Sequence, residues 1–403
     1  MSSNEDFFAS RKAAAVFKHG ILARYPVVFA AKAGMAVENH RVTFLDGYAG
    51  RGQYDAGEPG SPLLLVRSAE QVEKFRQVRG VFVERDDDNY ANLCRVLADQ
   101  SGTMPRELFH CSLDECLPEI LQMVEDDALF AFLDPFGPAL DYALLRSGLL
   151  GRPSWPPTEV LLHFSVLSVA RMGGALRKAR TGGAELSASD QKSAERLDRF
   201  LGGDWWQAHF ATVHDEHDEQ RATDAALTVA DRYRAMVTAQ TGFMSVSMPV
   251  RPRPDLQPKY VLVLFTRHRE GVWCFADALG KAGREWNEAC LTEESNRRTE
   301  AESRRFPGQL SIFEPEPVAF DPDKYERDRR EGWVKTIAAN ILRLVDSIGS
   351  FQIADRVPEV YGTTLGSAWI PHIRAAVRGL HHDGFIVNSG KGDRFHYDPI
   401  RRS

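Results

Sequence analysis

The chain has 403 residues, a length that favours two domains over one. Hydrophobic residues make up 43% and charged residues 26% of the sequence, a balance typical of soluble globular proteins. The net charge of −6 excludes a general electrostatic attraction to nucleic acid, so binding of that kind requires a local basic patch.

Cysteine usage and hydropathy exclude several further classes of protein. The five cysteines are scattered and have no C-x-x-C spacing, which argues against a disulfide framework and against a zinc site. His214 and His217 have helical spacing but no further ligands nearby in sequence, so we expect no metal. No targeting segment and no membrane-spanning apolar run is present, and we therefore expect a cytoplasmic protein without a membrane partner.

The first informative stretch follows an amphipathic helical region at residues 7–33. An apolar strand at residues 42–45 ends in Asp46, and a glycine-rich turn follows, with Gly47, Gly50 and Gly52. A strand that enters such a turn is typical of nucleotide-binding α/β sheets. Asp46 would repel a pyrophosphate and attract a sulfonium or ammonium group, which favours S-adenosyl-L-methionine over NAD. The alternative interpretation is that the strand ends in an ordinary glycine turn that binds no ligand.

The next two strands supply further candidate cofactor contacts. Residues 80–84 form a strand that ends in Glu84, a position where an acid receives ribose hydroxyls. Glu84 lies farther from the turn than the usual spacing of about 20 residues, partly because of a polar loop at residues 53–60. After a short strand at 108–110, Ser112 and Asp114 lie where an adenine edge would bind, although a helix cap explains them equally well.

A second informative motif follows the apolar strand at residues 128–133. Asp134, Pro135, Phe136 and Gly137 form a stiff turn that projects an acid and an aromatic ring from the sheet edge. A carboxylate and a carbonyl accept N–H bonds from a flat heterocycle, and Phe136 stacks on its ring. The alternative interpretation is that these residues only form the turn and contact no ligand.

A strand at residues 159–164 completes five apolar strands separated by helices, which predicts an α/β fold with a doubly wound Rossmann-like sheet. A helical insertion at about 168–240 interrupts this pattern. Its basic cluster is a phosphate-binding candidate or a solvated helix face, and it consists of Arg171, Arg177, Lys178 and Arg180. Two strands, at 243–249 and 260–265, then return to the sheet edge.

The C-terminal third changes composition twice. Residues 286–332 are rich in Glu, Arg and Pro and predict a charged, flexible linker that contains the apolar island Gln309–Phe313. Residues 333–403 predict three helices and a hairpin that turns at 389–392 and returns at 394–397, the outline of a winged helix. Such modules bind nucleic acid or protein, and candidate phosphate contacts here are Arg374, Arg378, Lys391 and Arg394.

The motifs in their order resemble a known family. The chain resembles the three-Cys-motif partner proteins (TcmP) in four motifs: Asp46-Gly-Tyr-Ala-Gly-Arg-Gly52, Gly60-Ser-Pro62, Phe82-Val-Glu84 and Asp134-Pro-Phe-Gly137. That family is in turn similar to class I S-adenosylmethionine-dependent methyltransferases. The resemblance covers roughly residues 10–280. It implies a methyltransferase-like domain over residues 1–285 and a winged-helix-like domain over 333–403.

Together, the motifs and the resemblance assign the site residues. The cofactor-binding set is Asp46, Gly47, Ala49, Gly50, Gly52, Glu84, Ser112 and Asp114. The catalytic set is Asp134, Pro135 and Phe136. The Asp134 motif is also similar to the fourth motif of tRNA guanine dimethyltransferases. The implied activity is therefore methylation of an exocyclic amine of a nucleic-acid base.

Other functions and partners stay open. A non-catalytic scaffold that uses the winged helix to bind nucleic acid or a partner protein is the main alternative. An NAD-dependent oxidoreductase is disfavoured by Asp46 and by the absence of a full G-x-G-x-x-G. Expected partners are RNA or DNA and a protein of the three-Cys-motif type. Gln309–Phe313 resembles the peptide with which bacterial proteins engage the sliding clamp, and an apolar tether to the protein's own domain explains it equally well.

Overall fold

A computed structural model describes residues 13–38, 40–55, 57–183, 185–211, 219–305 and 321–403. These residues form two compact units. The first unit is Leu22–Val272. The second unit contains Trp273–Ser403 together with the N-terminal helix, which precedes the first unit in the chain, up to Ile21. The predicted positions Gln309–Phe313, His214 and His217 lie outside the described residues.

The first unit is built on a seven-stranded sheet with the order β3-β2-β1-β4-β5-β7-β6. Strands β1 to β5 are parallel, whereas β7 runs antiparallel to both β5 and β6. The strands are β1 (Arg41–Asp46), β2 (Gln77–Val83), β3 (Arg106–Phe109), β4 (Ala128–Leu133), β5 (Thr158–Ser165), β6 (Met244–Val250) and β7 (Tyr260–Thr266). Every residue of β4 and of β7 is buried, because helices cover both faces of the sheet.

The helices, in chain order, are α1 (Ala13–Leu22), α2 (Tyr25–Ala36), α3 (Ser61–Glu70), α4 (Asp87–Ala98), α5 (Leu113–Met123), α6 (Val166–Gly182), α7 (Ala188–Leu201) and α8 (Glu219–Thr241). Pro62 lies in the first turn of α3, and the Asp86 side chain caps α4 by accepting from Asn89 N at 3.0 Å. Local sequence signals therefore set the starts of the helices that follow β1 and β2.

Aromatic side chains form the core on both faces of the sheet. On one face, Phe130 of β4 packs against Tyr25 and Phe29 of α2 at ring-centroid distances of 5.9 and 5.8 Å. On the other face, Phe164 of β5 packs against Phe200 and Tyr233 of the insertion, each at 5.5 Å. The insertion helices α6 to α8 are thus part of the main core and close one layer of an α/β/α sandwich.

The second unit contains α9 beyond its first turn (Arg269–Arg305), α10 (Pro322–Ile348), β8 (Ser350–Gln352), α11 (Val357–Tyr361), α12 (Ile370–His382) and β9 (Pro399–Arg401). Strands β8 and β9 pair antiparallel, and Ile386 bridges to Arg402 on the other side of β9. The order is helix, strand, two helices, a bridged residue and a returning strand.

The structure differs from the predicted elements in two places. The predicted hairpin returned through residues 394–397, but the returning strand is β9, and Phe395–Tyr397 form a 3-10 turn instead. The reason is packing, since Phe395 and His396 are buried and His396 stacks on Trp273 at 4.3 Å. The charged linker expected at 286–332 begins in α9, as its predicted partly helical start requires, but its last residues, from Pro322 on, are also helical, in α10.

In the part of the chain that the structure describes, no helix is both long enough and apolar enough to cross a bilayer.

Candidate functional site at the carboxyl edge of the sheet

Strand register brings three predicted acids to one edge of the first unit. Asp46, the last residue of β1, lies opposite Phe82 of β2 and Phe132 of β4. Glu84 and Asp134 each lie two residues beyond those partners, or about 7 Å farther along parallel strands. The carboxyl ends of β1, β2 and β4 therefore carry a carboxylate each, at the edge where doubly wound sheets bind ligands.

The glycine-rich turn lies between these acids and is pinned to both neighbouring strands. Gly47 N donates to Phe132 O at 3.0 Å, and Ala49 N donates to Val83 O at 2.9 Å. Gly50 and Gly52 have φ values of +61° and +81°, which favour glycine. A Cβ at Gly50 would contact nothing within 4 Å, so the backbone there borders open space. The turn is thus held from both sides, with open space beside Gly50.

Glu84 is fixed by two backbone groups. Its Oε2 accepts from Gly50 N and its Oε1 accepts from Asp86 N, both at 2.8 Å. Each carboxylate oxygen retains acceptor capacity, because a carboxylate offers about four lone-pair sites. Glu84 is half-buried and is therefore oriented while it can still accept a diol.

Asp46 has a more internal position than we expected. It is fully buried, and its Oδ1 accepts from Tyr48 N at 3.2 Å, which places the carboxylate under the turn. The carboxyl group of Asp46 is therefore not exposed to a ligand above the turn, and its role toward the cofactor stays a prediction.

Ser112 and Asp114 lie at the start of α5, beyond the end of β3. Ser112 occupies the N-cap position, and its backbone N donates to Glu115 Oε2 at 2.9 Å. Burial, followed by the charge of Asp141, raises the pKa of Asp114. Ser112 thus has the predicted capping role, whereas Asp114 lies close to a second acid, Asp141.

Asp134 has a partner that sequence reasoning missed. His163 Nδ1 lies 3.4 Å from Asp134 Oδ1, because Leu133 pairs with Leu162 and the next residues of β4 and β5 are therefore level. The His163 ring lies 4.3 Å from the ring of Tyr260, the first residue of β7. The available signal was a single histidine in the otherwise apolar stretch 160–164.

Pro135 is buried and Phe136 is 83% exposed, so the turn after β4 anchors its proline and presents its aromatic ring to solvent. Gly137 follows with a φ of +81°. Tyr48 is a second missed residue; burial and then the charge of Asp114 raise the pKa of its phenol above its usual value. The edge combines several carboxylates with aromatic rings and suits a ligand that carries positive charge and a flat base.

Among the described residues, no group of three or more His, Cys, Asp or Glu side chains is arranged to hold a metal ion. A separate cleft of about 300 Å³ lies at the opposite edge of the sheet and is lined by Arg41, Arg76 and Asp127 among others. Arg41 is paired there with Asp127 at 3.0 Å, and Arg76 donates to the carbonyl of Ala30 at 3.0 Å. Those charges are engaged in holding α2 and β1, and the chemistry described above lies at the other edge.

Comparison with known proteins gives structural similarity only. No protein-family model matches the chain, and no match was found among curated proteins. The cyclopropane synthase MmaA2 from Mycobacterium tuberculosis is 12% identical, with 69% of this chain and 79% of that chain covered and a TM-score of 0.26. The methyltransferase domain of bacterial CtHen1 is 12% identical, with coverages of 62% and 99% and a TM-score of 0.32.

The O-methyltransferase TomG from Streptomyces achromogenes, solved with SAM, is 13% identical, with coverages of 60% and 78% and a TM-score of 0.31. Because these TM-scores are low, the fold is defined by the strand order of the sheet and not by the similarity to these structures. Parallel strands in the order 3-2-1-4-5, extended by an antiparallel β7 between β5 and β6, form a doubly wound, Rossmann-like arrangement.

Proposed function

We propose that this protein is an S-adenosyl-L-methionine-dependent methyltransferase that acts on an exocyclic amine of a nucleic-acid base. The observation that carries the proposal is the convergence of the Asp46–Gly52 turn, Glu84 and Asp134 at the carboxyl edge of a doubly wound sheet. The donor supplies an activated methyl group on a sulfonium.

The first unit offers a fitting surface for that donor. Glu84, held by Gly50 N and Asp86 N at 2.8 Å, accepts the ribose hydroxyls. The open backbone at Gly47, Ala49, Gly50 and Gly52 lies under the methionine portion, with the Asp46 charge below it. Ser112 and Asp114 border the adenine. The acidic edge favours a sulfonium and disfavours the diphosphate of NAD.

On the acceptor side, Asp134 and the Pro135 carbonyl accept N–H bonds from the base, and Phe136 stacks on its ring. This arrangement directs the nitrogen lone pair toward the methyl carbon, so that the N–C bond forms as the C–S bond breaks. The sulfur keeps the electron pair, and the amine proton passes to Asp134 or to water. Most of the rate then comes from positioning. A base within a duplex would first have to flip out.

His163 positions Asp134 in this scheme. Its Nδ1 lies 3.4 Å from the Asp134 carboxylate, and Tyr260 holds the imidazole from the other side. We therefore expect His163→Ala to slow transfer less than Asp134→Ala does and to leave donor affinity unchanged.

The second unit is proposed to be a winged-helix-like module that binds nucleic acid. Its order of elements, with β9 between β8 and the bridged Ile386, is consistent with that fold. Arg378 and Lys391 are exposed and available to phosphates. Arg374 serves the loop instead, because its Nη1 donates to Gly390 O and Gly392 O at 2.9 and 2.8 Å. Arg394 stacks over Tyr397 at 4.9 Å.

Membership of the three-Cys-motif partner family is part of the same proposal and is supported by the order of the four motifs in the sequence. A transfer assay tests the activity: labelled S-adenosylmethionine is incubated with total tRNA, rRNA, genomic DNA and protein. We expect label in a nucleic-acid fraction. Label in none of the fractions would favour the non-catalytic scaffold.

A further inference from the structure

A basic cleft lies on the insertion of the first unit, away from the edge described above. It has a volume of about 170 Å³ and lies between α6 and the 3-10 turn Trp205–Phe210. Arg177, Arg180 and Gln207 line it, and none of the described lining residues is an acid. Two guanidinium groups and an amide beside an apolar floor are the chemistry that recognises a phosphate.

The wall of this cleft is fixed by close packing. A Cβ at Gly173 of α6 would overlap the Phe210 ring, so glycine permits the ring to lie directly on the helix backbone. Trp206 is fully buried and its Nε1 donates to Asp198 Oδ1 at 2.7 Å. These contacts hold the 3-10 turn against α6 and keep Gln207 at the same opening as Arg177.

Among the described residues that line the cleft, the charged ones are Arg177 and Arg180. Asp198 is engaged by Trp206, and Gln207 Nε2 lies 3.4 Å from the same oxygen. Thr181 Oγ1 donates to Arg177 O at 3.1 Å, which fixes the helix end that carries both arginines. Arg180 is exposed and Arg177 is half-buried, so one guanidinium faces solvent and the other borders the floor.

The position of α6 connects this cleft to the acceptor site. The helix begins at Val166, directly after β5, and Ser165 caps it by accepting from Ser168 N at 3.2 Å. Arg177 lies 11 residues farther along, or about 17 Å at 1.5 Å per residue. A strand stacked at about 3.4 Å per step covers this length of helix with about five nucleotides, and a more extended single strand covers it with fewer.

We propose that this cleft binds a backbone phosphate of a nucleic-acid strand, within about five nucleotides of the base that enters at Asp134. The inference rests on the proposed function, because it takes the acceptor position from it. A single strand is favoured over a duplex, since Phe136 offers an exposed stacking platform and stacking on it requires an unpaired base.

Fluorescence anisotropy on the full chain tests the cleft. The probes are labelled RNA and DNA oligonucleotides of 12 and 2 nucleotides. We expect the 12-mer to bind at least tenfold more tightly than the 2-mer, which is shorter than the stretch of about 17 Å of α6 before Arg177 even when it is fully extended. In the double variant Arg177→Gln/Arg180→Gln, 12-mer affinity should fall about tenfold, and the slope of log K against log salt should shrink by about 0.7, as for one lost phosphate contact.

The matched control is Lys192→Gln/Arg196→Gln, which removes the same charge from exposed positions of the neighbouring helix α7. It should leave the affinity within about twofold, and near-UV circular dichroism should show that both double variants are folded. Equal losses in both variants, or displacement of the 12-mer by polyglutamate at equal charge, would show generic attraction and overturn the inference.

The two proposals fail separately. Unchanged 12-mer affinity in Arg177→Gln/Arg180→Gln overturns the cleft even when the wild-type protein transfers methyl groups. Absence of S-adenosylmethionine binding to the wild-type chain overturns the proposed function, and the oligonucleotide data then judge the cleft as a binding surface alone. The RNA and DNA arms identify which strand it prefers.

Discussion

Glu159, near the start of β5, is a fully buried carboxyl group within the first unit. Tyr25 Oη donates to its Oε2 at 2.6 Å, and Thr266 Oγ1 donates to its Oε1 at 2.7 Å. Burial outweighs both hydrogen bonds and raises the pKa of Glu159 from 4.5 to about 7. The carboxyl is thus close to the midpoint of its titration near neutral pH.

This shift predicts a pH-dependent stability. Because the folded pKa exceeds the unfolded one, the folded state binds more protons between pH 4.5 and 7, and stability falls as pH rises through that window. Each pH unit costs about 1.4 kcal/mol at most. Glu159→Gln should remove this decline, as measured by urea unfolding at pH 5 and pH 8. An equal decline in the free energy of unfolding from pH 5 to pH 8 in the wild type and in Glu159→Gln would contradict this prediction.

Asp134 carries the second prediction at this scale. Asp134→Ala should lower the transfer rate at least about 100-fold, because the acceptor amine loses its orientation. The affinity for S-adenosylmethionine should change less than about threefold. The matched control, Asp126→Ala, removes a carboxylate that is 74% exposed near the opposite edge and should keep full activity. Equal rates for wild type and Asp134→Ala, measured with the substrate found in the transfer assay, would disprove this role.

Among the structural elements, α6 depends on two adjacent glycines with opposite roles. Gly173 lies against Phe210, whereas a Cβ at Gly174 would contact nothing within 4 Å. Gly173→Ala should therefore destabilise the first unit by about 1–3 kcal/mol through overpacking. Gly174→Ala should stabilise it by about 0.5–1 kcal/mol, because alanine favours the helix. Denaturant midpoints of the pair measure both effects, and a shift of the same sign in both variants would contradict the packing described here.

The second unit has an analogous close contact. A Cβ at Gly283 of α9 would overlap Gly366 O, and Asp277 Oδ1 accepts from Ile370 N at 3.1 Å at the start of α12. We expect Gly283→Ala to destabilise this unit, whereas Gly332→Ala on α10, with nothing within 4 Å, should not. Thermal unfolding followed by tryptophan fluorescence distinguishes the two variants.

The sequence predicted those features that depend on residues close together in the chain. Apolar runs located the strands of the sheet to within a few residues, and the acids that follow two of these strands, Glu84 and Asp134, lie at the predicted sheet edge. His163 was missed, since its contact depends on the register between β4 and β5. The cleft beside Arg177 was also beyond local patterns, because it requires a glycine on α6 to meet a ring 37 residues later. The return of the hairpin was misplaced, as burial of Phe395 and His396 overrides local strand preference.

For the whole molecule, the proposed function depends on one event, the binding of S-adenosylmethionine at the carboxyl edge of the first unit. Ligand that binds only the folded state raises stability by about 2.7 kcal/mol at 100 times its Kd. The same ligand should therefore also raise the thermal midpoint of the first unit.

Isothermal titration of S-adenosylmethionine into the wild-type chain, Glu84→Ala and the control Asp126→Ala tests the claim most directly. We predict one site per chain, a 10- to 100-fold weaker Kd in Glu84→Ala from the lost charged hydrogen bonds at about 1.5–3 kcal/mol, an unchanged Kd in Asp126→Ala, and no heat with NAD. No binding of S-adenosylmethionine to the wild type, or binding that Glu84→Ala leaves intact, would contradict the assignment of this edge.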